Sequence, residues 1–204
     1  MRALLAFACA CLCVSAAPQG AARSARLPFA EADADRFAAK LAAIVARTPP
    51  SPGEQRRRLR TVVTEPEVNA YLRFRAKNDI PVGVVEPYVF ALGEGRIGGE
   101  ATVDLDAVRL SRPRAILDPA QLLRGRVPVT AAGVLRSKDG VFQFALESAT
   151  VAGIDVPKAL LQELVGYYSR SASRPAGFSL DEPFQLTAGI REITVEARKA
   201  IVVQ

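Results

Sequence analysis

Asp104 and Asp106 are the residues of this chain best spaced for chemistry. On a strand, side chains two apart share a face about 7 Å apart, and paired carboxylates at that separation can hydrolyse glycosides. The same spacing arises on any strand with one wet face. No third oxygen ligand at calcium-loop spacing accompanies the pair. Asp181-Glu182, ahead of Pro183, carries no catalytic pattern. The glycine-rich Gly93-Glu94-Gly95-Arg96-Ile97-Gly98-Gly99 leads into a strand pattern and not a helix, so it reads as a hairpin turn and not as a phosphate cradle. The chain has no histidine, and its three cysteines (Cys9, Cys11, Cys13) crowd into the first thirteen residues. Ser-His-Asp, Cys-His and zinc-binding sets are thereby excluded from the rest of the chain. The expectation is a protein that is not an enzyme and needs no metal or cofactor.

Met1-Arg2, the apolar run Ala3 to Val14 and the small residues Ser15, Ala16 and Ala17 form the tripartite pattern of a secretory signal peptide, over 1–17. The run is shorter than the roughly 20 residues of a membrane-spanning helix. Acylation at Cys11, giving a lipoprotein, is the alternative processing. Both place the product across the inner membrane, in the periplasm or attached to the cell envelope. Cleavage after residue 13 would leave a mature chain with no cysteine, so its stability would come from core burial. Roughly 180 residues suffice for one ordinary core. Apolar residues make up 50% and charged residues 24%, a globular balance. Lys+Arg number 27 against 21 Asp+Glu, and the excess concentrates in Arg56-Arg57-Arg58 and Arg60. Such a run attracts anionic lipid head groups or nucleic acid. Export argues against nucleic acid and for an anionic membrane surface; plain solubility accounts for the charge equally well.

The elements follow from periodicity. Residues 18–53 read as a leader: a helix from Glu31 to Arg47, with Ala34, Phe37, Ala38, Leu41, Ile44 and Val45 on one stripe, then the proline-rich 48–53 linker. That helix either packs on the domain or stands free as an arm. Residues 54–204 read as one domain. A short strand, Leu59 to Val63, meets a helix opened by Thr64-Glu65-Pro66-Glu67, a capping box with proline in the first turn. Val68, Tyr71 and Leu72 form its expected inner side. Hairpins follow over 82–110 and 127–151, the second turning on Asp139-Gly140. A second helix runs from Pro157 to about Ser171, and the last two strands are expected at 178–186 and 192–203. The fold class is α+β: a curved antiparallel sheet of about six or seven strands with two long helices on one face, plus the N-terminal helix.

Strands 82–92 and 126–136 are apolar on both faces, more apolar surface than two helices readily cover. The excess points to a cavity lined by Tyr88, Phe90, Phe142, Phe144, Leu160, Leu164 and Tyr168. Arg56, Arg57, Arg58 and Arg60 would meet head groups at its edge. A helix that simply seals a core shows the same stripe.

Thr64-Glu65-Pro66-Glu67-Val68-Asn69-Ala70-Tyr71-Leu72 resembles the T-E-x-E-(V/L)-N-x-Y-L start of exported lipid-binding proteins related to the tubular lipid-binding (bactericidal/permeability-increasing-like) superfamily. Gly133-Val134-Leu135, Phe144-Ala145-Leu146 and Gly153-Ile154-Asp155-Val156-Pro157, continuing to Leu160-Leu161, resemble the later part of that group. The resemblance implies a long helix wrapped by a curved sheet, with a groove for acyl chains between them. It assigns no ligand residues. The functional expectation is an exported, non-enzymatic domain binding a lipid or other long apolar ligand. The alternative is an envelope structural or protein-interaction module without a small ligand, and a carboxylate hydrolase built on Asp104 and Asp106 is a third.

Overall fold

Thr64-Glu65-Pro66-Glu67 converts a strand into a helix within one residue. In the computed structural model, which describes residues 25–47, 58–110, 125–168, 175–177 and 179–204, strand β1 (Arg60–Thr64) runs directly into helix α2 (Glu65–Phe74). The Thr64 N–H, left over at the helix start, donates to the Glu67 carboxylate at 2.8 Å. Helix α1 (Glu31–Val45) precedes them, and the Ala30 N–H donates to Asp33 at 2.7 Å at its start.

Helix α1 is docked and does not stand free. Phe37 meets Tyr71 of α2 edge-on, with ring centres 5.1 Å apart. Arg75, just past α2, donates to Glu31 and Asp35, each at 2.6 Å. At the other end of α1, Arg47 bonds Thr61 and Gln204. Ile44 joins Val63 and Val202 in the core, with Phe37, Val68 and Ile193 packed around them.

Among the described residues, nine strands divide between two antiparallel sheets. The larger holds β2 (Val84–Gly93), β3 (Arg96–Asp104), β4 (Arg126–Lys138), β5 (Val141–Val151) and β6 (Ile154–Asp155) in that order, with β7 (Phe184–Gln185) also on β5. The smaller has the order β1-β9-β8, from β8 (Glu192–Glu196) and β9 (Lys199–Val203). Backbone bonds stitch the two together: Arg198 N–H to the Ala91 carbonyl (2.8 Å), Gly95 N–H to Val195 (3.0 Å) and Gly140 N–H to Arg191 (2.9 Å). The fold is therefore α+β and mostly antiparallel, as the pattern of the sequence indicates. Helix α4 (Lys158–Tyr168) lies against β5. Among the described residues no helix is long and apolar enough to cross a membrane.

Two expected strands are corrected. The strand expected over 96–110 stops at Asp104, because the Asp104 carboxylate accepts the Ala107 N–H at 3.0 Å and starts a short helix, α3 (Leu105–Leu110). The strand expected over 192–203 is a hairpin, turning at Ala197-Arg198 with Arg198 at φ 65°. Its second arm pairs with β1. The stretch expected as its partner, 178–186, pairs with β5 at Phe184 and Gln185 instead.

Candidate functional site

Strand β2 ends the larger sheet, so the backbone groups of Val89 and Ala91 on its free edge need partners from elsewhere. Helix α2 supplies them from two side chains one turn apart. Asn69 accepts the Val89 N–H at 2.8 Å and donates to the Val89 carbonyl at 2.8 Å and to the Glu65 carbonyl at 2.9 Å. Glu65 accepts the Ala91 N–H at 3.0 Å through one oxygen. Its other oxygen accepts the Tyr88 hydroxyl (3.1 Å) and Arg198 Nη1 (2.8 Å). The Glu65 side chain is 1% exposed. The third buried polar residue of α2, Glu67, faces α1 and accepts Lys40 Nζ at 2.7 and 2.8 Å, while Lys40 also bonds the Val62 carbonyl. Burial pushes the Glu67 carboxyl up, but the bonds from Lys40 and Thr64 outweigh it and hold the group below the usual carboxylate range. Every buried side-chain nitrogen and oxygen among the described residues has a partner. The expected apolar side of α2 does pack, Val68 on the core and Tyr71 on Phe37, but only half-buried. Its most buried positions are Glu65, Glu67, Asn69 and Ala70: an unpaired strand edge rewards hydrogen-bonding side chains at Glu65 and Asn69, and Lys40 of α1 takes Glu67.

This clamp positions a cleft. Where α2 ends, the 77–83 loop, the start of β2 and the segment 26–29 line an open cleft of about 830 Å³. Leu27, Phe29, Leu72, Ile80 and Val85 make apolar walls, with Tyr88 among them. Phe29 stands between Phe74 (6.2 Å) and Tyr88 (6.4 Å). Arg26 lies over the Tyr88 ring, 5.1 Å from its centre, and pairs with Glu100. The Tyr88 hydroxyl is occupied: it accepts the Leu27 N–H at 2.7 Å and donates to Glu65. Burial pushes its pKa up, and the Glu65 carboxylate adds to the rise. Arg73, Lys77 and Glu86 complete the rim, and Val82, 64% exposed, stands at the mouth. Gly83 makes the loop possible. Its φ is 89°, and a Cβ there would lie 2.3 Å from Val108 Cγ2 and 2.8 Å from the Asp104 carbonyl oxygen.

The residues expected to line one cavity are dispersed. Tyr88 is on the cleft. Phe90 is buried beside it, 4.7 Å from ring centre to ring centre, outside the cleft wall. Tyr88 and Phe90 face Glu100 and Gly98, which face Thr130 and Ala132. Phe144 and Phe142 face Leu135 and Ser137, odd-numbered positions of β4 and so on the opposite face of the sheet. The cause is a bulge: Ala132 faces Ser148 but Gly133 faces Leu146, which leaves Glu147 over and turns the rest of β5. Leu160 is 48% exposed on α4. The side chains of Leu164 and Tyr168 lie outside the described residues, as do Arg56 and Arg57 and the whole signal segment. Arg58 and Arg60 are exposed near the C-terminal end of α1, whereas the cleft is at its N-terminal end. The cations of the cleft rim are Arg26, Arg73 and Lys77 instead.

The Asp104–Asp106 pair does not share a strand face. Asp104 caps α3, and Asp106, inside that helix, accepts the Gly125 N–H at 3.0 Å. The Ala107 N–H, and after it Arg126, hold the Asp104 carboxyl below its ordinary value. No cluster of three metal-ligating side chains occurs among the described residues.

No protein-family model, curated protein or solved structure matches the chain.

Proposed function

We propose that this protein is an exported, non-enzymatic domain that holds a lipid or another long apolar molecule in the cleft beside Tyr88. The observation that carries the reading is the cleft itself, about 830 Å³ with mostly apolar walls. Small-molecule sites have volumes of roughly 300–1,000 Å³ and the same apolar character. Covering such walls favours an apolar occupant by roughly 25 cal/mol per Å² removed from water. Export rests on the pattern of residues 1–17, and the likeness of residues 64–72 to exported lipid-binding proteins points the same way.

Native mass spectrometry of the mature protein purified from the cell envelope, followed by solvent extraction, tests the reading. The expected result is a stoichiometric acyl-chain species. Ile80→Trp, which places an indole in the cleft, should reduce that species at least tenfold with little change in the unfolding midpoint. A ligand-free protein that also fails to take up added lipid would end the proposal. A second reading, an envelope interaction module, is favoured by exposed Ile154 (71%) and Leu160 (48%) on neighbouring β6 and α4. A stable oligomer by light scattering, dispersed by Ile154→Ser with Leu160→Ser, would support it.

A further inference from the structure

The cleft has two chemically different parts, and the rim is where charge is unspent. Arg73 and Lys77, four residues apart, both line it. Their neighbour Arg75 is engaged by Glu31 and Asp35, and Arg26 by Glu100. Arg73 and Lys77 make no ion pair or hydrogen bond with any described residue, and both are exposed. A basic residue in the last turn of a helix suits the helix dipole, which accounts for Arg73. It does not account for Lys77, beyond the helix end and facing the same cleft. Glu86 is the carboxylate on the lining. With Arg26 balanced by Glu100, the lining itself sets two free cations against this one carboxylate, while Asp79 in the same loop stands outside the lining. Behind them, Leu72, Ile80 and Val85 offer an apolar wall.

We infer that the ligand is a single-chain anionic amphiphile, with its carboxylate or phosphate held at the mouth by Arg73 and Lys77 and its chain laid along Leu72, Ile80 and Val85. The inference rests on the cleft being the binding site and specifies the class of molecule it takes. An anion at two exposed cations gains charge-assisted hydrogen bonds. Exposed charges are screened by salt, so the preference for an anionic head should weaken as salt rises.

Isothermal titration of the mature protein with dodecanoate, dodecanol and inorganic phosphate, each below its aggregation limit, separates the possibilities. Dodecanoate should bind at least tenfold more tightly than dodecanol, and phosphate alone should bind far more weakly than either. Arg73→Gln with Lys77→Gln should remove the preference by weakening dodecanoate and leaving dodecanol unchanged. Neither side chain has a hydrogen-bond or ion-pair partner to lose, and Arg73 gives up only its interaction with the helix end, so the melting curve should move little. Equal affinity for dodecanoate and dodecanol would overturn the anionic head and leave the cleft reading standing. So would a preference that survives both substitutions. Saturable phosphate binding as tight as that of dodecanoate would make this a free-anion site and overturn the amphiphile. Failure of both chains to bind would overturn the cleft reading, and this inference with it.

Discussion

A carboxylate that is taken out of water keeps its charge when donors replace the water it has lost. Glu65 and Glu67 are two residues apart and take their hydrogen bonds from different partners. Glu65 is held by the Ala91 N–H, Tyr88 and Arg198, and Glu67 by Lys40 and Thr64. For Glu67 the balance lies below the usual range, which fixes a pH dependence. A carboxyl lowered in the folded state contributes stability in full above its unfolded value of about 4.3. That contribution is lost as pH falls through the unfolded value and on through the folded one. Glu67→Gln should therefore cost most at pH 7, and the gap between wild type and variant in urea midpoint should narrow from about pH 5 to pH 3. A gap independent of pH would show that Lys40 and Thr64 do not hold the charge.

Among the elements, β4 and β5 show how one backbone irregularity decides what a surface presents. The bulge at Glu147 moves Phe144 from the face of Phe90 to the other side, where its ring covers Gly133. A Cβ on Gly133 would lie 2.3 Å from the Ala145 carbonyl oxygen and 2.7 Å from Phe144 Cζ. A Cβ on Gly99, in the neighbouring strand, would meet nothing closer than the Tyr88 carbonyl at 3.8 Å. Gly133→Ala should thus lower stability by about 2–3 kcal/mol through overpacking against backbone. Gly99→Ala should be neutral or gain up to about 1 kcal/mol from the lost freedom of the unfolded glycine. Urea unfolding of the two variants gives the comparison, and similar losses in both would mean the bulge does not bring Phe144 over Gly133. The same bulge explains what the sequence could and could not convey. The Asp139-Gly140 hairpin, the Thr64 capping box and the stripe of α1 are local signals, and all three are found, except that Val45 at the end of the stripe is exposed. A bulge carries no residue signature, so alternation alone put Phe144 with Phe90. The turn at Arg198 has neither glycine nor proline, so one long strand was expected where β8 and β9 fold back. Glu65 and Asn69 were invisible to a search for apolar periodicity. Their spacing of four, directly after the cap at Thr64, is the available clue. The cleft escaped because its walls come from the 77–83 loop and the 26–29 segment, which have no periodicity to read.

Over the whole molecule, the cations of the cleft rim and the exposed Arg58 and Arg60 lie at opposite ends of α1. Glu31 at the start of α1 bonds Arg75 near the cleft, and Arg47 past its end bonds Thr61 and Gln204 near Arg58 and Arg60. Fifteen helical residues at about 1.5 Å each separate these ends by roughly 22 Å. That is more than twice the screening length of about 8 Å at physiological salt. Arg58 and Arg60 therefore cannot hold the head group of a ligand seated beside Tyr88, but they are exposed to meet a surface, where each cation contributes about 1 kcal/mol near anionic lipid. Replacing Arg56, Arg57, Arg58 and Arg60 together by Gln should leave dodecanoate affinity within about twofold at physiological salt. Co-sedimentation with phosphatidylglycerol-containing vesicles should fall at least tenfold. If dodecanoate binding disappears with the four arginines, the two ends are not independent, and the run belongs to the ligand site after all. If vesicle adsorption persists while Arg73→Gln with Lys77→Gln abolishes it, the membrane meets the mouth of the cleft, and ligand exchange and surface contact share one end of the protein.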